Sequence, residues 1–288
     1  MALVGWRLAV AALFVGLPGV AVAADLPLPG PAIEPIAQAP AVPDWLVTIG
    51  AEVRAIPAWP GAPTNKLALG GFPLVALQKP GDPPFFFGAR DGFGIPILDF
   101  GQLQIGPVAT INYPRYVWQY QQLNALGEVP WALQLGGYAQ WWATPWLRLR
   151  GEVRQGIGGE TGVTGDLYVD AVVPLGQWRL SAGPRLTAQS AAAVSPYFSI
   201  TPAQSASSGI SGLAPLPVYS ATGGFYSYGA GGQIEYFFNR QWSTHAIVEY
   251  ERLTGSAADS PLVTMRGSPN QLTFGVGATY TFAMHPLW

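Results

Sequence analysis

The stretch Gln271–Phe282, QLTFGVGATYTF, places Leu272, Phe274, Val276, Ala278, Tyr280 and Phe282 on one side of an extended chain. Gln271, Thr273, Gly275, Gly277, Thr279 and Thr281 fall on the other side. Side chains of a strand alternate between its two faces, so twelve alternating residues predict a strand with one apolar and one polar environment. Strands of soluble sheets usually run about 5–6 residues. A strand crossing an outer membrane needs about 9–11, apolar outward and polar inward. The fold therefore turns on whether the rest of the chain repeats this pattern.

It does. In Trp45–Arg54, Val47, Ile49, Ala51 and Val53 alternate with Thr48, Gly50, Glu52 and Arg54. Leu103–Tyr113 repeats the pattern. Leu147, Leu149 and Val153 alternate with Arg148, Arg150, Glu152 and Arg154. Leu167, Val169, Ala171 and Val173 alternate with Asp166, Tyr168 and Asp170, and Leu180, Ala182 and Leu186 with Arg179, Ser181, Arg185 and Thr187. Ile234, Tyr236 and Phe238 alternate with Gln233 and Glu235, and Trp242, Ala246, Val248 and Tyr250 with Ser243, His245, Glu249 and Glu251. Tight turns at 143–145, 175–177 and 239–241 alternate with long connections at about 114–130, 193–222 and 257–270, as in barrels with short periplasmic turns and long outer loops. With shorter segments near 71–79, 84–89 and 93–99, the count reaches twelve. The predicted fold is all-β, a transmembrane antiparallel up-and-down β-barrel. An even strand number puts both termini on the periplasmic side. Pro73, Pro83, Pro84 and Pro96 interrupt the early strands.

Composition agrees. Charged residues make up 10% of the chain, against about 25% in soluble domains. The 14 basic and 16 acidic residues leave a net charge of -2, which offers nucleic acid no basic surface. The absence of cysteine excludes disulfides and thiolate chemistry. Two histidines make a His-rich metal site a poor reading, and no cofactor is expected. Arg7, the apolar run Leu8–Val20 and the small residues Ala21-Val22-Ala23 read as a secretory signal over residues 1–23. Residues 24–43 are a Pro-rich periplasmic segment, and 44–288 the barrel. No other run of about 18 apolar residues exists to form a transmembrane helix. Export through the periplasm to the Gram-negative outer membrane is expected, with the lipids and the barrel insertion machinery as partners. Trp45, Trp118, Trp131, Trp141, Trp142, Trp146, Trp178 and Trp242 lie near strand ends and read as interfacial girdles.

The predicted inner face carries Glu52, Arg54, Arg148, Arg150, Glu152, Arg154, Asp166, Asp170, Arg179, Arg185, Glu235, His245, Glu249 and Glu251. Six arginines stand against seven carboxylates, with opposite charges expected on neighbouring strands. This supports two readings: a pore whose arginine ladder guides small solutes, or a lumen filled by mutual ion pairs. A hydrolase built from Ser243, His245 and Glu249 is a third. Positions two apart on a strand are roughly 7 Å apart, too far for direct hydrogen bonds, and no G-x-S-x-G elbow is present. Gly156–Gly162 lacks the lysine and following helix of a phosphate loop and reads as a hairpin loop. Asp166 and Asp170 share a strand face without completing a calcium motif. Thr201 before Pro202 predicts a capped helix start within a long loop.

Several pieces have a recognisable order: Glu152-Val153-Arg154-Gln155, Ser181-Ala182-Gly183-Pro184, Tyr197-Phe198-Ser199-Ile200 with Pro202-Ala203-Gln204-Ser205, Ala257-Ala258-Asp259-Ser260-Pro261-Leu262-Val263, and Arg266-Gly267-Ser268-Pro269-Asn270-Gln271. Together they resemble the MipA/OmpV family of MltA-interacting proteins, from about residue 45 to 282. Pro57-Ala58-Trp59-Pro60-Gly61 lacks the acidic residues of the family's first loop, and the chain continues past Phe282 to Trp288, so two aromatics compete as the insertion signal. The resemblance implies an outer-membrane barrel without catalytic residues. It also implies a scaffold joining a lytic murein transglycosylase to a penicillin-binding protein in peptidoglycan processing; porin-like relatives leave a solute channel as the alternative.

Overall fold

The computed structural model describes residues 45–78, 86–88 and 90–284. The expected signal and Pro-rich segments, and Trp288, lie outside the described residues. Twelve strands form one sheet: β1 (Trp45–Pro57), β2 (Leu67–Gln78), β3 (Phe93–Gly94), β4 (Leu98–Asp99), β5 (Leu103–Asn112), β6 (Ala132–Thr144), β7 (Leu147–Gly158), β8 (Val163–Leu175), β9 (Trp178–Gln189), β10 (Gly224–Phe237), β11 (Trp242–Leu253) and β12 (Asn270–Met284). Neighbours in sequence are antiparallel neighbours in space from β5 to β12, and β12 returns to pair β1. The sheet is thus a nearly closed up-and-down barrel.

The outward faces are apolar and exposed: Val153 and Val276 are each 62% exposed, and Ile49, Leu167 and Val248 behave alike. The charged side chains alternate with them and are buried. This inversion of a soluble protein's arrangement is what a lipid-facing barrel requires. No helix among the described residues is long and apolar enough to span a membrane. Trp131, Trp141, Trp146, Trp178 and Trp242 are exposed near strand ends. Trp142 departs from the expected girdle; it points inward, is buried, and packs with Phe86 and Val172.

Twelve strands are reached by a different partition than the sequence suggests. Residues 93–99 form two stubs, β3 and β4, that both pair β5. Residues 86–88 of the expected 84–89 strand are irregular, and 84, 85 and 89 lie outside the described residues. Physical reasons are visible in the neighbouring sequence: prolines remove ladder donors, and Arg90 and Asp91 are drawn into ion pairs within the barrel. Between β2 and β5 the described residues touch through Tyr113, whose hydroxyl donates to Gly71 O at 2.9 Å and whose ring meets Phe72 edge-on.

At one end lie the tight turns after β6, β8 and β10, together with the start of β1 and the end of β12. The other end is closed by a folded dome. It contains α1 (Ala191–Phe198), α2 (Pro202–Ser207), α3 (Gly255–Ala258) and α4 (Pro261–Arg266). Thr201 caps α2 in a reciprocal capping box with Gln204, as its sequence predicts. Two apolar clusters form the dome's core, one around Val194, Phe198 and Val263, the other around Trp59, Leu123 and Leu262. Arg115 donates to the carbonyls of Tyr197 (2.6 Å), Gly127 and Pro196. Arg266 donates to those of Gln122, Ser208 and Ala214. Tyr197–Ile200, Ser260–Val263 and Arg266, prominent in the family resemblance, are dome residues.

Candidate functional site

The barrel interior is crossed by a continuous layer of ion pairs. On β7 and β8 the register sets Arg148 opposite Asp170, and the two are bonded at 2.6 Å with both side chains fully buried. Two steps along, the same register sets Glu152 opposite Asp166, a like-charge pair rather than the expected opposite one. Arg154 resolves the conflict by donating to both carboxylates. Arg150 donates to Glu152 at 2.7 Å and lies over the ring of Tyr138. From β9, Arg185 bonds Asp170 and approaches Glu249 of β11 at 3.9 Å. Arg179 pairs with Glu235, its register partner on β10.

Two members of the layer come from the irregular segment before β3. Arg90 Nη2 contacts Glu251 Oε2 at 2.5 Å and Arg90 Nε contacts Glu249 Oε2 at 3.1 Å. The adjacent Asp91 accepts from Arg148 at 2.5 Å and from Gly88 N at 2.8 Å. The pair Arg90-Asp91 therefore ties β11 to β7 across the interior. Sequence reasoning missed both residues because they lie in no period-two strand. The available signal was an isolated arginine–aspartate pair inside an otherwise apolar, Gly- and Pro-rich stretch.

A third group sits on the side of β12. Glu52 accepts from Arg54 at 2.6 Å and pairs with His245 Nε2 at 3.1 Å. The inward face of β12 has glycine here, and both side chains fill that space. A Cβ on Gly275 would lie 2.3 Å from Glu52 Oε1, and one on Gly277 2.6 Å from His245. Above this level is a cavity of about 390 Å³ bounded by Arg54, Glu249, Glu251, Gln271 and Thr273. Below it is one of about 310 Å³ bounded by Thr48, Leu74, Phe237, Thr279 and Thr281. An open route beside the uncharged Thr/Gly face is thus interrupted by the Glu52–His245 pair. All fourteen sequence-selected residues are assembled in or beside these three groups: the layer, the Arg179–Glu235 pair and the Glu52 cluster.

The hydrolase geometry does not assemble. Ser243 Oγ donates to Glu235 at 2.7 Å and contacts Thr279 Oγ1 at 2.7 Å. His245 faces Glu52 instead of a hydroxyl group. Gly159–Gly162 forms the β7–β8 connection, and Glu160 within it accepts from Asn112 and Gln134.

The family model described as MltA-interacting protein MipA matches residues 49–282. No curated protein sequence matches the chain significantly. Among solved structures, the chain is similar to an outer-membrane channel from Pseudomonas putida F1, with 11% identity, TM-score 0.40, and coverage of 85% of this chain and 97% of the other. It is also similar to the NanC porin, with 9% identity, TM-score 0.35, and coverage of 82% and 98%. The N-terminal barrel domain of Pseudomonas aeruginosa OprF gives 9% identity, TM-score 0.28, and coverage of 82% and 97%.

Proposed function

The chain belongs to the MltA-interacting protein MipA family, and from that premise we propose that it is a non-enzymatic outer-membrane scaffold for murein-processing enzymes. The observation that carries this reading is the transverse ion-pair layer. Arg90 and Asp91 join Glu249 and Glu251 on β11 to Arg148 on β7, so the interior is occupied by the protein's own charges. A pore guiding solutes needs unoccupied charges along its path; here the arginines are matched one carboxylate after another. The folded dome adds a second obstruction at the long-loop end.

The family's name implies an interaction with MltA, a murein transglycosylase. In this reading the long loops face outward, the tight-turn end and segment 24–43 face the periplasm, and those two parts meet the transglycosylase and a penicillin-binding protein. Chemical cross-linking in intact envelopes followed by purification of the barrel tests the proposal. Recovery of a lytic transglycosylase supports it, and repeated absence under conditions that capture other envelope complexes counts against it.

A channel for small solutes is the second reading. It is favoured by one observation: the two cavities lie along the same β12 face and are parted by the Glu52–His245 pair. No hydroxyl hydrogen-bonds His245 among the described residues, so hydrolysis receives no geometric support.

A further inference from the structure

The upper cavity, beneath the dome, holds two charges that the ion-pair layer does not match. Arg115 is 4% exposed and Glu160 is 2% exposed, and both border this space. Three N–H groups of a buried guanidinium can be satisfied by neutral carbonyls without any counter-charge, and this is the situation of Arg115. Its Nε makes no hydrogen bond. Glu160 has the reverse problem. Its Oε1 accepts from the amides of Asn112 and Gln134, and its Oε2 has no partner. Neither residue forms an ion pair among the described residues. The other cations bordering the cavity are engaged: Arg54 with Glu52, Arg90 with Glu249 and Glu251, and Arg154 with Glu152 and Asp166.

A buried charge without a partner is costly, and a buried polar atom without a hydrogen bond adds to the cost. Here one cation and one anion line the same cavity. Burial shifts each toward its neutral form: Arg115 falls to about 10, and Glu160 is raised. A ligand carrying a single charge would relieve one group and leave the other. Only a molecule bearing both charges offsets both.

We propose that the upper cavity binds a small zwitterion of the amino-acid or short-peptide class, its ammonium group on Glu160 and its carboxylate on Arg115. A volume of about 390 Å³ lies within the range of sites that enclose small molecules. This site is independent of the scaffold reading and of the tight-turn end.

The test is isothermal titration calorimetry on the full-length barrel folded in detergent, with alanyl-alanine as probe. N-acetyl-alanyl-alanine and alanyl-alanine amide each remove one charge. Saturable binding of alanyl-alanine is expected, with each blocked form weaker by about tenfold or more. Glu160→Gln keeps the acceptor for Asn112 and Gln134; it should weaken alanyl-alanine by a similar factor and abolish discrimination against the N-acetyl form. The blocked probes decide the question on the parent protein even if the variant does not fold. Absence of saturable heat with alanyl-alanine overturns the proposal, as does equal binding of the three probes or unchanged affinity in a folded Glu160→Gln protein.

Discussion

Arg90 and Glu251, 161 residues apart in sequence, meet through Nη2 and Oε2 at 2.5 Å inside the barrel. The contact joins the irregular segment before β3 to β11, and it exists because Arg90 projects into the interior instead of extending a strand. Its neighbour Asp91 meets Arg148 in the opposite direction. These two consecutive residues convert a ring of strand-borne charges into a layer that spans the lumen.

Arg90→Ala is expected to destabilise the barrel strongly. It removes the charge facing both Glu249 and Glu251, which are buried or nearly so. Removing one member of a buried ion pair costs about 3–5 kcal/mol, because the remaining charges stay desolvated. Thermal unfolding in detergent, read as loss of the compact form on unheated gels, should show a clearly lowered transition. An unchanged transition would mean that the Arg90 contacts are not held in the folded barrel.

Arg266 clasps three carbonyls from separate dome segments, at 2.6–3.0 Å. Hydrogen bonds from a charged donor contribute about 1.5–3 kcal/mol each and do not add fully, so Arg266→Ala should cost the dome roughly 3 kcal/mol. Limited proteolysis should cut loops 190–223 and 254–269 faster while the strands stay protected. Equal cleavage rates in parent and variant would remove the clasp from the account.

Burial raises the Glu160 carboxyl above its ordinary range. With the folded-state pKa above the unfolded one, the stabilising contribution of protonated Glu160 is full below about pH 4.3 and is lost as pH rises through the folded value. Glu160→Gln cannot ionise and keeps the hydrogen bonds from Asn112 and Gln134. The variant's stability relative to the parent should therefore rise as pH increases from 4 to 7. A difference that stays flat across this window would show that Glu160 is not desolvated.

Most strands were legible because period-two alternation is a local property: Leu147–Arg154 and Gln271–Phe282 fall in β7 and β12, and the alternating charges fall on the buried face. The family resemblance was also legible, but the role of its most specific residues was not. Phe198, Leu262 and Val263 are dome core, and their contacts join loops far apart in sequence. Helix α1 was hidden because AAAVSPYF has no amphipathic period and carries an internal proline. It is held by burial against the dome rather than by propensity. The Arg90–Asp91 bridge depends on contacts more than fifty residues away, so no local window could reveal it. The like-charge register of Glu152 and Asp166 likewise needed strand pairing to be seen.

A lumen closed by its own charges passes no stable current. Conductance of the purified full-length protein in planar lipid bilayers at neutral pH tests it most directly. The closed layer and the Glu52–His245 pair predict successful insertion without stable current steps. Reproducible stepwise currents from the parent protein would show an open lumen and give precedence to the channel reading.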